Sequence, residues 1–159
     1  MPSTMTPADL RALIDELLDL LRTHGDGGEP ADPLRLPPLL DRLALAATTL
    51  DPPFDSREHP DPPTASYDTW RGRVVRAFPG LGPYNAVQPV TEVVGAGQAV
   101  VGDAVDDLAD IARDLEEVAL RWQASPDDAL WHFDLLFRTH WGQHLRQLQL
   151  VLHREPSGW

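Results

Sequence analysis

The stretch that decides the fold is LWHFDLLFRTHWGQHLRQLQLV, residues 130–151. At 100° per residue, positions that alternate by three and four form one helix face, which is typical of the buried seam of a packed helix. Those positions are Leu130, Phe133, Phe137, His140, His144, Gln147 and Val151. Two histidines and a glutamine therefore stand where apolar residues are expected. We predict that the imidazoles of His140 and His144 point inward, toward a neighbouring helix.

A second long helix is predicted just before this one, from about Val101 to Gln123. Its apolar residues also alternate by four and three, so they form a seam: Val101, Val105, Leu108, Ala112, Leu115, Ala119 and Trp122. Ser125-Pro126-Asp127-Asp128 has the capping residues of a helix start. Because the link is so short, the two helices are expected to be antiparallel neighbours.

The N-terminal half adds two or three helices. Thr6-Pro7-Ala8-Asp9 predicts a helix start, with a hydroxyl cap, a proline at the first position and an acid three residues after the cap. A second helix is expected from about Pro37-Pro38, since proline fits only the first turn. Asp68 could cap a short third helix, and a strand at 73–75 is the alternative. Glycines leave residues 91–101 without a clear assignment.

These elements predict an all-α fold, a bundle of four to five helices with a C-terminal antiparallel helical hairpin. Residues 1–159 are expected to form a single helical domain. Within it, residues 51–66 hold five prolines among polar residues and predict a proline-rich surface loop. Residues 155–159 are expected to form a frayed tail.

Composition narrows the function class. The net charge is −12, and every positive side chain is an arginine. An acidic surface repels phosphate backbones, so we expect no nucleic-acid partner. The absence of cysteine excludes disulfides, thiolate metal sites and cysteine nucleophiles. No signal peptide and no membrane span is recognisable, so we expect a cytoplasmic, acidic protein without membrane attachment. The oligomeric state is left open.

The helix before the last one carries an acidic stripe, which consists of Asp103, Asp107, Asp110, Asp114 and Glu117. Its first interpretation is a solvated face, since the stripe lies roughly opposite the apolar seam. The alternative places some of these carboxylates at a helix–helix boundary. Like charges four residues apart are mildly unfavourable, and an arginine or a divalent cation would relieve them.

A buried imidazole needs partners for both ring nitrogens, and three arrangements satisfy His140 and His144. The first is a structural network with aspartate or glutamine. The second is a divalent metal bound by His140 and His144, with Asp107 and Asp110 from the facing helix, because a spacing of four places two imidazoles side by side. The third is general acid–base work without a metal. Apart from this metal, no cofactor is predicted.

Two enzyme motifs match only in part. Asp106-Asp107-Leu108-Ala109-Asp110 has the DDxxD spacing of isoprenoid synthases, but the chain is too short for their helical barrel and has no second metal motif. Residues 107–111 are similar to the last acidic motif of the all-α nucleotide pyrophosphohydrolases. The acidic pair that those enzymes place on the helix just upstream is missing here, where the nearest candidates are Glu16 and Asp19.

A family resemblance covers about half of the chain, residues 78–153. The motifs that carry it are Val101-Gly102-Asp103, Asp106 to Ile111, Arg113-Asp114-Leu115, His140-Trp141-Gly142-x-His144 and the turn from Phe78 to Tyr84. Together they resemble the bacterial domain of unknown function 5063. The resemblance implies a small α-helical bacterial protein whose biochemical role is not established. It supplies no catalytic residue.

Two functions from different classes follow. The first is a non-catalytic protein-binding or regulatory module, with a protein partner that the sequence does not identify. The alternative is a divalent-metal-dependent, hydrolase-like enzyme with a His/Asp site between the two C-terminal helices. Metal binding separates the two functions.

Overall fold

A computed structural model describes residues 5–154, and the tail predicted at 155–159 lies outside them. The helices and strands, in chain order, are α1 (Pro7–Gly25), α2 (Leu36–Thr49), α3 (Tyr67–Ala77), β1 (Pro83–Gln88), β2 (Gln98–Asp103), α4 (Ala104–Ala124), α5 (Pro126–Leu136) and α6 (Gly142–Arg154). A 3-10 turn (Pro33–Arg35) precedes α2, and a π-helical turn (Phe137–Trp141) joins α5 to α6. The predicted mostly helical fold is confirmed.

The helix starts follow the capping residues of the sequence. Thr6 and Asp9 form a reciprocal capping box at α1, and Ser125 caps α5 through the backbone N–H of Asp128. The cap predicted for the third helix was wrong, since Ser66 rather than Asp68 caps α3. Ser66 can accept from the N–H of Thr69, three residues later, which is the geometry that an N-cap hydroxyl prefers.

Helix α4 lies at the centre of the molecule and contacts α1, α3, α5 and α6, while α2 packs against α1 and α6. The solvated-face interpretation of its acidic stripe was wrong for Asp107 and Asp114, which are 3% and 7% exposed. Arg113 is exposed and Asp110 and Glu117 are half-buried, so one edge of α4 still reaches solvent. Within residues 5–154, no helix combines the length and the apolarity needed to cross a membrane.

A two-stranded antiparallel sheet interrupts the helices and was not predicted. In its register Tyr84 pairs with Gly102, and Pro83 pairs with Asp103, the cap of α4. A Cβ at Gly102 would collide with the ring of Tyr84, so glycine lets that ring lie across the neighbouring strand. The hairpin thereby carries Tyr84 to the first turns of α4.

The π turn changes which face of the last helix is buried. From the end of the turn onward the large buried residues are Trp141, Leu145, Leu148 and Leu152, one position later than the seam expected at His140, His144, Gln147 and Val151. A π turn adds about one residue to a helix, and one residue corresponds to a rotation of about 100°. Gly142 permits the turn, because a Cβ there would collide with the carbonyl oxygen of Phe137.

Residues 51–66 contain neither helix nor strand and run over the ends of α4 and α5. Asp55 accepts a hydrogen bond from Ser125 at 2.8 Å, and Asp61 accepts one from Arg121 at 2.6 Å. Phe54 packs edge-on against Trp131, with 6.3 Å between ring centroids. These contacts hold the proline-rich segment against the helices.

Candidate metal centre

The two imidazoles of the last helix each bond an aspartate of α4. The Nδ1 atom of His140 lies 2.7 Å from Oδ2 of Asp114, and the Nδ1 atom of His144 lies 2.7 Å from Oδ1 of Asp107. A carboxylate accepts, so each imidazole donates through Nδ1. The later histidine meets the earlier aspartate, which shows that α4 and α6 are antiparallel.

These bonds leave the two Nε2 atoms for another partner. The Nε2 atom of His144 is 3.6 Å from Oδ2 of Asp110, and the two imidazole rings are 5.1 Å apart between centroids. One ligand atom from each of Asp110, His140 and His144 lies within 4.8 Å of the others. Among the described residues, this is the one group of three acidic or imidazole side chains close enough to hold a metal ion.

Helical spacing explains the cluster. Asp107, Asp110 and Asp114 occupy positions i, i+3 and i+7 of α4 and therefore share one face. His140 lies in the π turn and His144 in the first turn of α6. Because the π turn rotates this pair away from the core, the His140 side chain is 43% exposed and the His144 side chain is 23% exposed. The cluster is therefore open to solvent on one side.

The electrostatic environment of these aspartates and imidazoles favours the binding of a positive charge. Burial raises the pKa of Asp110 and of Asp114 above the ordinary value, because ionised carboxylates lose hydration there. The hydrogen bond to Asp107 raises the pKa of His144, although burial opposes that shift. Among the described residues no arginine forms an ion pair with Asp107, Asp110 or Asp114. The imidazoles are thus the ion-pair partners of these carboxylates, and Arg113 acts on Asp110 only through longer-range attraction.

Two tyrosines support the acidic face. The hydroxyl of Tyr84 donates to Oδ2 of Asp107 at 2.5 Å and lies 3.0 Å from Oε1 of Gln147. The hydroxyl of Tyr67 donates to Asp106. Burial, followed by these carboxylate bonds, raises the pKa of Tyr67 to about 12 and the pKa of Tyr84 further above its ordinary range. Both hydroxyls therefore stay protonated at neutral pH and act as donors.

All four residues predicted as metal ligands lie near one another, but three of them can face a metal and the fourth, Asp107, cannot. His140, His144 and Asp110 each offer one ligand atom within 4.8 Å of the others. Both oxygens of Asp107 are engaged, one by His144 and one by Tyr84, so Asp107 orients an imidazole. Asp114 has the same position relative to His140. Sequence reasoning missed the roles of Asp114 and Tyr84, although Asp114 stood in the acidic stripe and Tyr84 in the motifs of the family resemblance.

A second polar cluster, the Arg121 cluster, lies where α4 and α5 meet the proline-rich segment. The Arg121 side chain is 4% exposed and forms ion pairs with Asp61, Glu117 and Asp128 at 2.6, 2.8 and 3.2 Å. Two further histidine–aspartate pairs border a cavity of about 300 Å³ beside it. They are His59 with Asp55 and His132 with Asp128. Here an arginine compensates the buried Asp128 together with two more exposed acids.

Comparison with known proteins supports the fold and the family. None of the curated proteins matches the sequence significantly. The crystal structure of protein BF1032 from Bacteroides fragilis is similar, with a TM-score of 0.69 over 94% of this chain and 90% of that chain at 17% sequence identity. Likeness at that identity shows the fold alone. A family model matches residues 36–155, so the resemblance seen at residues 78–153 is confirmed, and the chain belongs to the family described as Domain of unknown function (DUF5063).

Proposed function

We propose that the protein binds a divalent transition-metal ion through Nε2 of His140, Nε2 of His144 and the carboxylate of Asp110, and that this centre supports hydrolysis. The observation that carries the proposal is the engagement of both Nδ1 atoms by buried aspartates. Histidines that bind metals commonly donate the other ring N–H to a carboxylate, which fixes the tautomer and makes the ligand nitrogen more basic. Asp114 accepts such a hydrogen bond from His140, and Asp107 accepts one from His144.

The distances support a small ion. Ligand atoms about 2.0–2.1 Å from a tetrahedral zinc ion are separated by about 3.4 Å. The 3.6 Å between His144 Nε2 and Asp110 Oδ2 is close to that separation. All three ligand atoms lie within 4.8 Å of one another, so a side-chain movement of about 1 Å would complete the site. Two imidazoles and one carboxylate suit zinc, manganese or ferrous iron.

Three protein ligands leave a coordination position for water or substrate. Structural zinc sites use four protein ligands, whereas catalytic sites keep a position open. The His140 side chain is 43% exposed, which supports an open position that solvent can reach. A divalent metal at such a site activates water and polarises a carbonyl or phosphoryl oxygen. A hydrolase-like role is therefore the enzyme class that this donor set supports.

Metal content tests the proposal. Purified protein incubated with zinc, manganese or ferrous iron and then desalted should retain about one ion per chain, and the double variant His140→Ala with His144→Ala should retain none. The matched control is His59→Ala with His132→Ala, which removes the two histidines of the Arg121 cluster and should leave retention unchanged. Failure of the unmodified protein to retain a stoichiometric ion would falsify the proposal.

A non-catalytic protein-binding or regulatory role is the second candidate, and the hairpin favours it. The adjacent residues Val93 and Val94 in the turn are 69% and 102% exposed, Val101 on β2 is 77% exposed, and exposed apolar surface is characteristic of interaction sites. If this role is the main one, Val94→Asp should abolish binding of a protein that the unmodified chain captures at equal concentration. Unchanged binding by that variant would rule out the hairpin as the contact.

A further inference from the structure

An apolar groove lies between the hairpin and the C-terminal half of α6. Its volume is about 640 Å³, which is within the range of pockets that bind small molecules. Strand β1 and the residues after it form one wall, and α6 forms the other. The lining of the groove includes Tyr84, Val87, Val90, Gln147, Leu150 and Val151.

The groove adjoins the candidate metal centre through Tyr84 and Gln147. Gln147 lies one turn after His144 on α6, and Tyr84 bonds the same Asp107 carboxylate that holds His144. Both residues also line the groove. The face that the π turn rotates off the core therefore serves two adjoining purposes. His140 in the turn and His144 in α6 supply imidazoles, and later residues of α6 form one wall of the groove.

The groove differs chemically from the rest of this acidic protein. Val87, Val90 and Leu150 are 54%, 78% and 58% exposed, so a ligand that covers them gains hydrophobic free energy. Among residues 5–154, no acidic side chain lines the groove, and Arg154 at its far end is the one charged lining residue. The aspartates of the metal centre lie at the other end. The groove therefore suits an apolar chain whose polar end reaches the metal centre.

We propose that this groove binds the chain of a medium-chain carboxylic acid or of its ester, with the carboxyl group beside Asp110, His140 and His144. The inference rests on the proposed metal site and adds the substrate class. From Gln147 to Arg154 the helix rises about 10 Å, enough for a chain of medium length. Carboxyl oxygens are ordinary metal ligands, whereas the aspartates of the metal-free site repel a carboxylate. Binding of the acid therefore depends on the metal.

Fluorescence titration with dansyl-labelled undecanoic acid tests the proposal, using full-length protein with one equivalent of zinc and the same protein in chelator. Zinc should tighten binding by at least about ten-fold. The corresponding dansyl-labelled undecanoic amide, which has no charged end, should show a much smaller dependence on zinc. Zinc retention is measured separately on the same samples.

The variant Leu150→Asp should weaken binding of the acid by at least about ten-fold without changing zinc retention. Its matched control is Leu45→Asp, because Leu45 is 55% exposed on α2 and lies outside the groove. Zinc retention with no binding of the acid would overturn this inference and leave the metal site intact. Binding of the acid that does not depend on zinc, or that is unchanged in Leu150→Asp, would overturn it as well. Loss of zinc retention itself would overturn the proposed function and the carboxyl placement together.

Discussion

The molecule contains two clusters of paired histidines and aspartates, and different groups compensate the negative charges of the aspartates in each. In the Arg121 cluster, a guanidinium that is 4% exposed forms ion pairs with three carboxylates, and two histidines bond aspartates at the edge. In the candidate metal centre, Asp107, Asp110 and Asp114 have only imidazoles as ion-pair partners among the described residues. Both clusters are built on α4, about four turns apart at their extremes.

The contrast separates a structural cluster from a binding site. A buried carboxylate is costly unless it is paired and hydrogen-bonded. In the Arg121 cluster the chain supplies a permanent positive charge, since arginine does not lose its proton in proteins. At the metal centre the partner is an imidazole, whose charge depends on pH. The second arrangement leaves room for a cation from solution, whereas the first does not.

The largest effect is expected from breaking the compensated cluster. Arg121→Met should lower the free energy of unfolding by about 3–5 kcal/mol, because it leaves Asp128 and Glu117 without their buried partner. Urea denaturation followed by circular dichroism measures it. Arg138→Met is the control, since that side chain is 70% exposed in its ion pair with Asp134 and should matter by less than about 1 kcal/mol. Equal effects of the two variants would remove the basis of the comparison.

Neutralising one aspartate in each cluster should act in opposite directions. Asp128→Asn should cost about 1–3 kcal/mol in the free energy of unfolding, because Asp128 accepts a hydrogen bond from buried Arg121.

Without metal, Asp110→Asn should be neutral or stabilising, since burial already disfavours the ionised form of Asp110. With zinc at about a hundred times its dissociation constant, the unmodified protein should gain about 2.7 kcal/mol and Asp110→Asn much less. Destabilisation by both variants in chelator would contradict the comparison.

Removing a supporting hydroxyl should have a moderate effect. Tyr84→Phe deletes the donor to Asp107 and should lower the free energy of unfolding by about 0.5–1.5 kcal/mol. It should also weaken zinc binding, because Asp107 orients His144. Tyr67→Phe is the matched control, as Tyr67 bonds Asp106, which holds neither imidazole. Isothermal titration with zinc distinguishes the two, and equal zinc affinities in both variants would exclude a positioning role for Tyr84.

The smallest effect is the pH dependence of the metal-free protein. The folded pKa of His144 is raised above its unfolded value of about 6.5. Protonated His144 therefore contributes stability that is fully present below about pH 6.5 and is lost as pH rises through the folded pKa. The difference in unfolding free energy between the unmodified protein and His144→Gln, measured in chelator, should shrink as pH rises above 6.5.

Metal binding should show the reverse trend, because a metal takes the neutral imidazole. Zinc affinity is therefore expected to increase over the same pH range. A difference between the unmodified protein and His144→Gln that grows with pH in chelator would show that the Asp107 contact does not stabilise the charged ring.

The sequence predicted the parts of the fold that rest on local chemistry. Hydroxyl caps located the starts of α1 and α5, because each cap lies next to the boundary it marks. Helical periodicity located most of α4, although its predicted start at Val101 falls in β2. The hairpin escaped prediction, since β1 and β2 lack a strict alternation of apolar and polar residues. Its pairing joins residues on either side of a long turn, and Gly102 is recognisable as a requirement only once Tyr84 lies against it.

The sequence predicted which residues form the candidate site, but it predicted the contacts among them less well. Helical spacing was enough to face His140 and His144 toward the acidic stripe. It could not decide which aspartate bonds which ring, because that depends on the axial offset of α4 and α6. Nor could it show that the rings lie at the border of the core. That position follows from the π turn, whose only local sign is the missing Cβ of Gly142.

The π turn also bears on how such a site can arise or disappear. Deleting one residue from 137–141 would restore an unbroken α-helix and rotate everything after it by about 100°. Leu145, Leu148 and Leu152 would leave the interior, and the histidine face would turn inward, with no change in amino-acid type. Relatives that differ here by a single insertion or deletion are therefore expected to differ in whether they carry the site at all, even where both histidines are kept.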